Sequence, residues 1–138
     1  VVYSFGVLHH TPNTRKAIRE VRRVLKPGGK IIIMLYHKRS LHVLLGAPLS
    51  VLLRPWLGRR DGRSTLIEDW VRRYDGSGNP LGKAYSKEEA VAMFHEFRNL
   101  AFDVCDPVRR RFPKILNTIN QGIFAPYLGF YLLIQGVK

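Results

Sequence analysis

Three histidines sit where two apolar runs of the chain stop. The first run, Val1-Val2-Tyr3-Ser4-Phe5, breaks at Gly6 and passes through Val7 and Leu8 to His9-His10; the second, Lys30 to Tyr36, ends at His37. An imidazole ionises near pH 6.5, so it can take or give a proton under ordinary conditions. Gly6 has no Cβ and lets backbone come close to a ligand. If the two runs are neighbouring parallel strands, Gly6, His9, His10, Tyr36 and His37 gather at the rim where open α/β sheets bind ligands. The alternative for each is structural: His9 and His10 bonded to backbone at a strand end, His37 solvated beside Lys38 and Arg39, Tyr36 in the core.

Metal chemistry is not expected. His37 and His42 are five apart with no carboxylate or cysteine nearby, which is no zinc spacing. Asp75-x-Ser77-x-Asn79 resembles the start of a calcium loop, but Pro80 stands where such a loop needs glycine and Ser86 where it needs a bidentate Glu.

The elements that must hold these residues follow from punctuation and periodicity. Residues 1–5 read as a buried strand, being rich in β-branched and aromatic types. Asn13 caps a helix with Ala17, Ile18, Val21, Val24 and Leu25 on its apolar face. Lys26-Pro27-Gly28-Gly29 ends that helix. Lys30 to Tyr36 is a near-continuous apolar strand covered on both faces. Strand, helix, glycine turn and strand make a right-handed βαβ unit, so the fold class is α/β with a parallel sheet.

Beyond it the rhythm breaks. Ser40 to Leu57 holds Gly46, Pro48 and Pro55 and is expected to be at most a short or broken helix. Arg59 to Arg63 reads as a polar loop, Thr65 to Tyr74 as a helix, and Asp75 to Gly82 as a turn-rich linker. A capping box of Ser86 with Glu89 then opens a helix carrying Ala90, Phe94 and Phe97. Leu100 to Cys105 and Leu128 to Val137 read as closing strands, separated by the basic run Arg109 to Lys114.

Composition bounds the rest. The chain of 138 residues is 46% hydrophobic, enough for one domain with a core. One cysteine, Cys105, cannot form an internal disulfide, in keeping with a reducing, cytoplasmic setting. The formal net charge of +13 points to a polyanionic partner, or to arginines facing water; Arg15, Lys16, Arg19, Arg22 and Arg23 lie on the polar side of one helix. Residues 40–53 are uncharged, but 14 helical residues reach about 21 Å against a hydrocarbon core of about 30 Å, so peripheral membrane contact is expected there rather than a span. Residues 115–137 are uncharged too, but Asn117, Asn120, Gln121, Pro126 and Gln135 interrupt them.

The run from Val2 to Met34, VYSFGVLHHTPNTRKAIREVRRVLKPGGKIIIM, resembles the class I S-adenosylmethionine-dependent methyltransferases of the type 11 domain family. In those enzymes the fourth strand ends in a V-x-S-x-x-V-L-H-H pattern, and R-V-L-K-P-G-G, here Arg23 to Gly29, leads into the fifth. The resemblance implies a Rossmann-like seven-strand methyltransferase fold, incomplete here. Residues 1–36 and 86–138 would be its C-terminal half, strands four to seven. Residues 37–85 would be a mainly helical insertion, a lid or acceptor-binding element. It further implies S-adenosyl-L-methionine as cofactor, with Ser4, Phe5, Gly6 and Val7 lining its methionine side and Leu8, His9 and His10 facing the substrate. His9, His10 and His37 are the catalytic candidates on the substrate side. The family's glycine-rich loop and acidic ribose-binding residue have no counterpart in these residues, so a chain entered part-way along a strand, inactive by itself, is expected.

The acceptor class is open, with a small or lipid-like molecule favoured. The competing reading is a basic module that binds nucleic acid or anionic membrane on a methyltransferase-like fold without catalysis. A third is a non-functional remnant with an open strand edge at Val1 to Phe5.

Overall fold

The computed structural model describes residues 1–52, 65–75, 81–106, 118 and 120–138. Strands β1 (Val2–Phe5) and β2 (Lys30–His37) are parallel neighbours, Tyr3 beside Ile32 and Phe5 beside Met34, with helix α1 (Thr14–Val24) crossing between them. Asn13 caps α1 as expected, its side chain accepting from the Lys16 amide at 2.9 Å. Gly28, at φ +72°, makes the left-handed turn out of the helix.

Helix α2 (Leu41–Leu52) follows β2, and α3 (Leu66–Asp75) packs on it. After the two-residue strand β3 (Ala84–Tyr85) come α4 (Lys87–Phe94), β4 (Arg98–Cys105), a π-helical turn (Asn120–Phe124), α5 (Ala125–Leu128) and β5 (Tyr131–Val137). The sheet order is β1-β2-β5-β4, with β5 antiparallel to both neighbours. Because β5 occupies one edge of β2, β3 must pair on the other. It does so at Tyr36 and His37, just beyond the point where β1 has stopped.

One face of the sheet is dry. Ile18 and Leu25 from α1 and its exit, and Ala90, Met93 and Phe94 from α4, bury Ile31, Ile33, Leu35, Leu132 and Ile134. On the other face Val43 of α2 and Val71 of α3 cover only the end of the sheet, over Met34, Tyr36 and Phe130. Tyr3 and Phe5 lie on that second face, beyond the cover, with rings stacked at 6.3 Å.

Several expectations need correction. β1 is not a buried strand: Tyr3 is 66% exposed, because no described helix lies over its face. The same gap leaves Ile32 partly exposed within β2. Val24 is exposed as well; the inward stripe of α1 runs through Thr14, Ile18 and Val21 to Leu25. α2 is not broken. It runs continuously through Pro48, and Leu44, whose carbonyl loses its helical donor there, is exposed, so water can replace the bond. The last strand starts at Tyr131, since Ala125–Leu128 is helical. β4 begins two residues early, through a bulge where Asn99 takes φ +50°. The arginine loop 59–63, most of the linker 75–82 and the basic run 109–114 fall outside the described residues.

Ser86 accepts from the Glu89 amide while the Glu89 carboxylate accepts from the Ser86 amide, the expected box. Thr65 and Glu68 form a second one at the start of α3. Replacing Ser86 with Ala should lower unfolding free energy by about 1 kcal/mol, read by denaturant titration. Gly129 is more sensitive. A Cβ there would meet backbone atoms of Cys105 and the Ala125 carbonyl at 2.5 Å, so Gly129→Ala should cost about 1–3 kcal/mol, with a matching fall in melting temperature.

Candidate active site

Gly6 ends β1 at φ +74°, a conformation that side chains resist, and turns the chain into a short 3-10 turn, Leu8–His10. That turn returns the chain over the end of β2. The His9 ring, with no exposed surface, lies 4.0 Å from the Tyr36 ring and 4.1 Å from His10. Tyr36 stacks in turn on Phe130 at 4.4 Å, and His42 meets Phe130 edge-on at 5.5 Å. A column of rings from the 3-10 turn, β2, α2 and the start of β5 therefore fills the rim. Each contact contributes about 0.5–1.5 kcal/mol beyond its buried area.

Residues 81–85 strap this rim. The His10 Nδ1 faces the Leu81 carbonyl, which can only accept, so the proton sits on Nδ1 and the neutral ring keeps its lone pair at Nε2. Lys83 Nζ donates to the carbonyls of Thr11 (3.0 Å) and Pro12 (2.7 Å). Tyr85 donates its hydroxyl hydrogen to Thr14 Oγ1 at 2.8 Å, and its carbonyl accepts from the Lys38 amide at 2.9 Å. Burial raises the Tyr85 phenol above its usual range, which keeps that donor protonated.

His37 is placed differently. Strand alternation turns it to the face opposite Tyr36. It is buried, and its Nδ1 donates to the Gly129 carbonyl at 3.1 Å, while its amide donates to Phe130. It is joined to the ring column through the backbone of Gly129 and Phe130. Nearby, Lys38 pairs with Glu89 at 2.9 Å and Arg39 with Glu88 at 3.2 Å, tying the end of β2 to the start of α4.

Of the residues read from sequence, Gly6, His9, His10 and Tyr36 converge, and His37 lies behind them. Ser4 and Leu8 are half-buried, while Phe5 and Val7 are exposed beside the turn. Phe130, Leu81 and Lys83 were not among the candidates. Phe130 is far away in sequence and completes the column. Leu81 and Lys83 belong to a strap whose strand is two residues long, too short to leave a periodic signal.

With this geometry in hand, known proteins can be compared. Residues 1–33 match the family model described as a methyltransferase domain. A SAM-dependent methyltransferase from Thermotoga maritima, described as a possible histamine N-methyltransferase, superposes with a TM-score of 0.57 at 15% identity. The match covers 99% of this chain and 54% of that one. The chain thus shares the Rossmann-like fold of that methyltransferase, and its strand, turn and helix over residues 1–33 are the part that matches the methyltransferase-domain model. Among curated proteins, it is 31% identical over 128 residues to a polyketide synthase-nonribosomal peptide synthetase, TwmB, of Talaromyces wortmannii, a match over 78% of this chain and 4% of that one. It is 36% identical over 66 residues to the polyketide synthase component of lovastatin nonaketide synthase of Aspergillus terreus, over 47% of this chain and 2% of that one. The chain therefore spans a very small share of these curated relatives.

Burial pushes the His37 imidazole below its ordinary value of 6.5, against the opposing pull of its bond to Gly129. The folded chain favours neutral His37, whereas the unfolded chain takes up the proton near 6.5. The His37 contribution to stability should be complete above that pH and decline as pH falls below it. Denaturant titrations across the acid range should show this slope, and His37→Gln should flatten it; an unchanged slope would assign it to other groups.

Proposed function

We propose that this chain supplies one wall of the active site of an S-adenosylmethionine-dependent methyltransferase, as the C-terminal half of the catalytic domain, and that its acceptor is a small apolar or lipid-like molecule. The observation that carries this reading is the Gly6 turn feeding the His9–His10–Tyr36 column; Gly6, His9 and His10 lie within the segment matched by the methyltransferase-domain model, and Tyr36 just beyond it.

The residues present fit the cofactor's methionine side. The turn from Ser4 to Val7 offers backbone groups at a glycine where no Cβ intrudes, and the exposed Phe5 and Val7 offer apolar surface. S-adenosylmethionine, when bound, supplies an electrophilic methyl group on a sulfonium. The work left to the protein is positioning and exclusion of water, which can account for much of the acceleration in an in-line transfer. His10 is the group suited to take a proton from the acceptor. It is only half-buried, and its strap to Leu81 keeps Nε2 as the lone-pair nitrogen. His9, enclosed between His10 and Tyr36, holds that ring in place.

Amide-resolved titration of the chain with S-adenosylmethionine should shift Ser4 to Leu8, with a dissociation constant of about millimolar or weaker, because one wall offers few contacts. Shifts scattered elsewhere, or none at all, would refute the pocket. In an active protein that carries this segment, His10→Ala should slow methyl transfer about 10²-fold or more while leaving cofactor affinity unchanged.

A further inference from the structure

The helix α2 presents a surface that water alone does not explain. Leu41, Leu44, Leu45, Pro48 and Leu52 recur at i, i+3, i+4, i+7 and i+11 and are all exposed, Leu45 by 63% and Leu52 by 76%. Its opposite side, Val43 and Ala47, is the side already buried. Among the described residues nothing covers this leucine stripe, whereas an exposed helix ordinarily turns charge to water. α1 in the same molecule does so, facing Arg15, Lys16, Arg19 and Arg23 outward.

A second apolar patch lies at the same end of the sheet. α2 leaves β2 just beyond Tyr36, and α5 enters β5 just before Tyr131, the residue paired with Tyr36. Ahead of that entry Ile123, Phe124 and Tyr127 are exposed, Tyr127 by 76%. Two separate elements thus turn large apolar side chains outward where the parallel strands end.

We propose that this end of the molecule docks on an anionic lipid surface, with α2 lying in the plane of the interface. Charge selects that occupant. The chain carries +13, and cations bracket the uncharged helix in sequence: Lys38 and Arg39 before it, each also paired with a glutamate of α4, and Arg54, Arg59, Arg60 and Arg63 with Asp61 among them after it. Leucines that enter the acyl boundary while arginines and lysines meet acidic headgroups are the pattern of an interfacial helix. Twelve residues make about 18 Å of helix, too short to cross a bilayer and suited to lie along it. No described helix is long and apolar enough to cross a membrane. A nucleic acid would find no cation on the leucine stripe, and a second copy would bring a like charge of +13. The inference does not depend on methyl transfer.

Co-sedimentation of the full chain with vesicles tests it. Binding is expected to equimolar phosphatidylcholine and phosphatidylglycerol, at least tenfold weaker binding to phosphatidylcholine alone, and further weakening as salt is raised. The double variant L44E/L45E, both positions exposed, should lose binding at least tenfold while melting at the same temperature. Hydrogen exchange on the unaltered chain gives an independent reading, with vesicle-induced protection expected at residues 41–52 and 120–128. The proposal is overturned if anionic vesicles do not retain the chain, or if L44E/L45E binds them undiminished. Protection elsewhere on the fold would overturn it as well. A lipid-free dimer that the same variant dissolves would assign the face to a second copy instead.

Discussion

Every position in the candidate site is set by the two hydrogen-bonding edges of β2. One edge is fully taken by β5, from Lys30 beside Val137 to Tyr36 beside Tyr131. The other is shared end to end, first by β1 up to Met34 and then by β3 at Tyr36 and His37. β1 has to stop short for β3 to fit, and Gly6 is where it stops. The turn that follows has one place to go, over the open end of β2, and that places His9 on Tyr36. A longer β1 would remove the strap and the histidine column together.

The two kinds of histidine at this rim differ through their neighbours rather than their chemistry. His37 is buried against the Gly129 carbonyl, and burial favours its neutral form, so it behaves as a fixed hydrogen-bond donor between β2 and the start of β5. His10 uses the same nitrogen on the Leu81 carbonyl but keeps part of its ring accessible. One type of bond thus serves as a structural tie in one place and sets the tautomer of a half-exposed ring in another. The capping box of α4 steadies the same region: although partial burial works against it, the Ser86 amide and Lys38 hold the Glu89 carboxyl below its usual range.

What could be read from residues alone was what is encoded locally. Asn13, the apolar stripe of α1, the Lys26 to Gly29 exit and the β-rich run into Tyr36 each carry their signal within a few residues, and the βαβ unit followed from them. The Ser86–Glu89 box was legible for the same reason. β3 was not, because two residues cannot establish a period. α2 was masked by Gly46 and Pro48, whose local preference was overridden once Val43 and Ala47 found a core to enter. The exposure of Tyr3 and the burial of His9 depend on what lies across the sheet, which no local pattern contains. The neighbouring parallel strands bring Gly6, His9, His10 and Tyr36 together as expected, while His37 turns to the other face, and the column and strap, built from residues distant in sequence, became visible only in three dimensions.

The partnership of β2 with β5 also sets an order of assembly. β1, α1 and β2 are contiguous and can pair soon after they are made, because the loop to be closed is short. The other edge of β2 must wait for Tyr131–Val137, since Met34 finds its partner in Leu133. During that interval an apolar strand shows an unsatisfied ladder to the surroundings, an invitation to intermolecular pairing. The most central strand of the finished sheet is thus the nascent chain's most vulnerable edge, and yield on expression should be governed there rather than at the histidines.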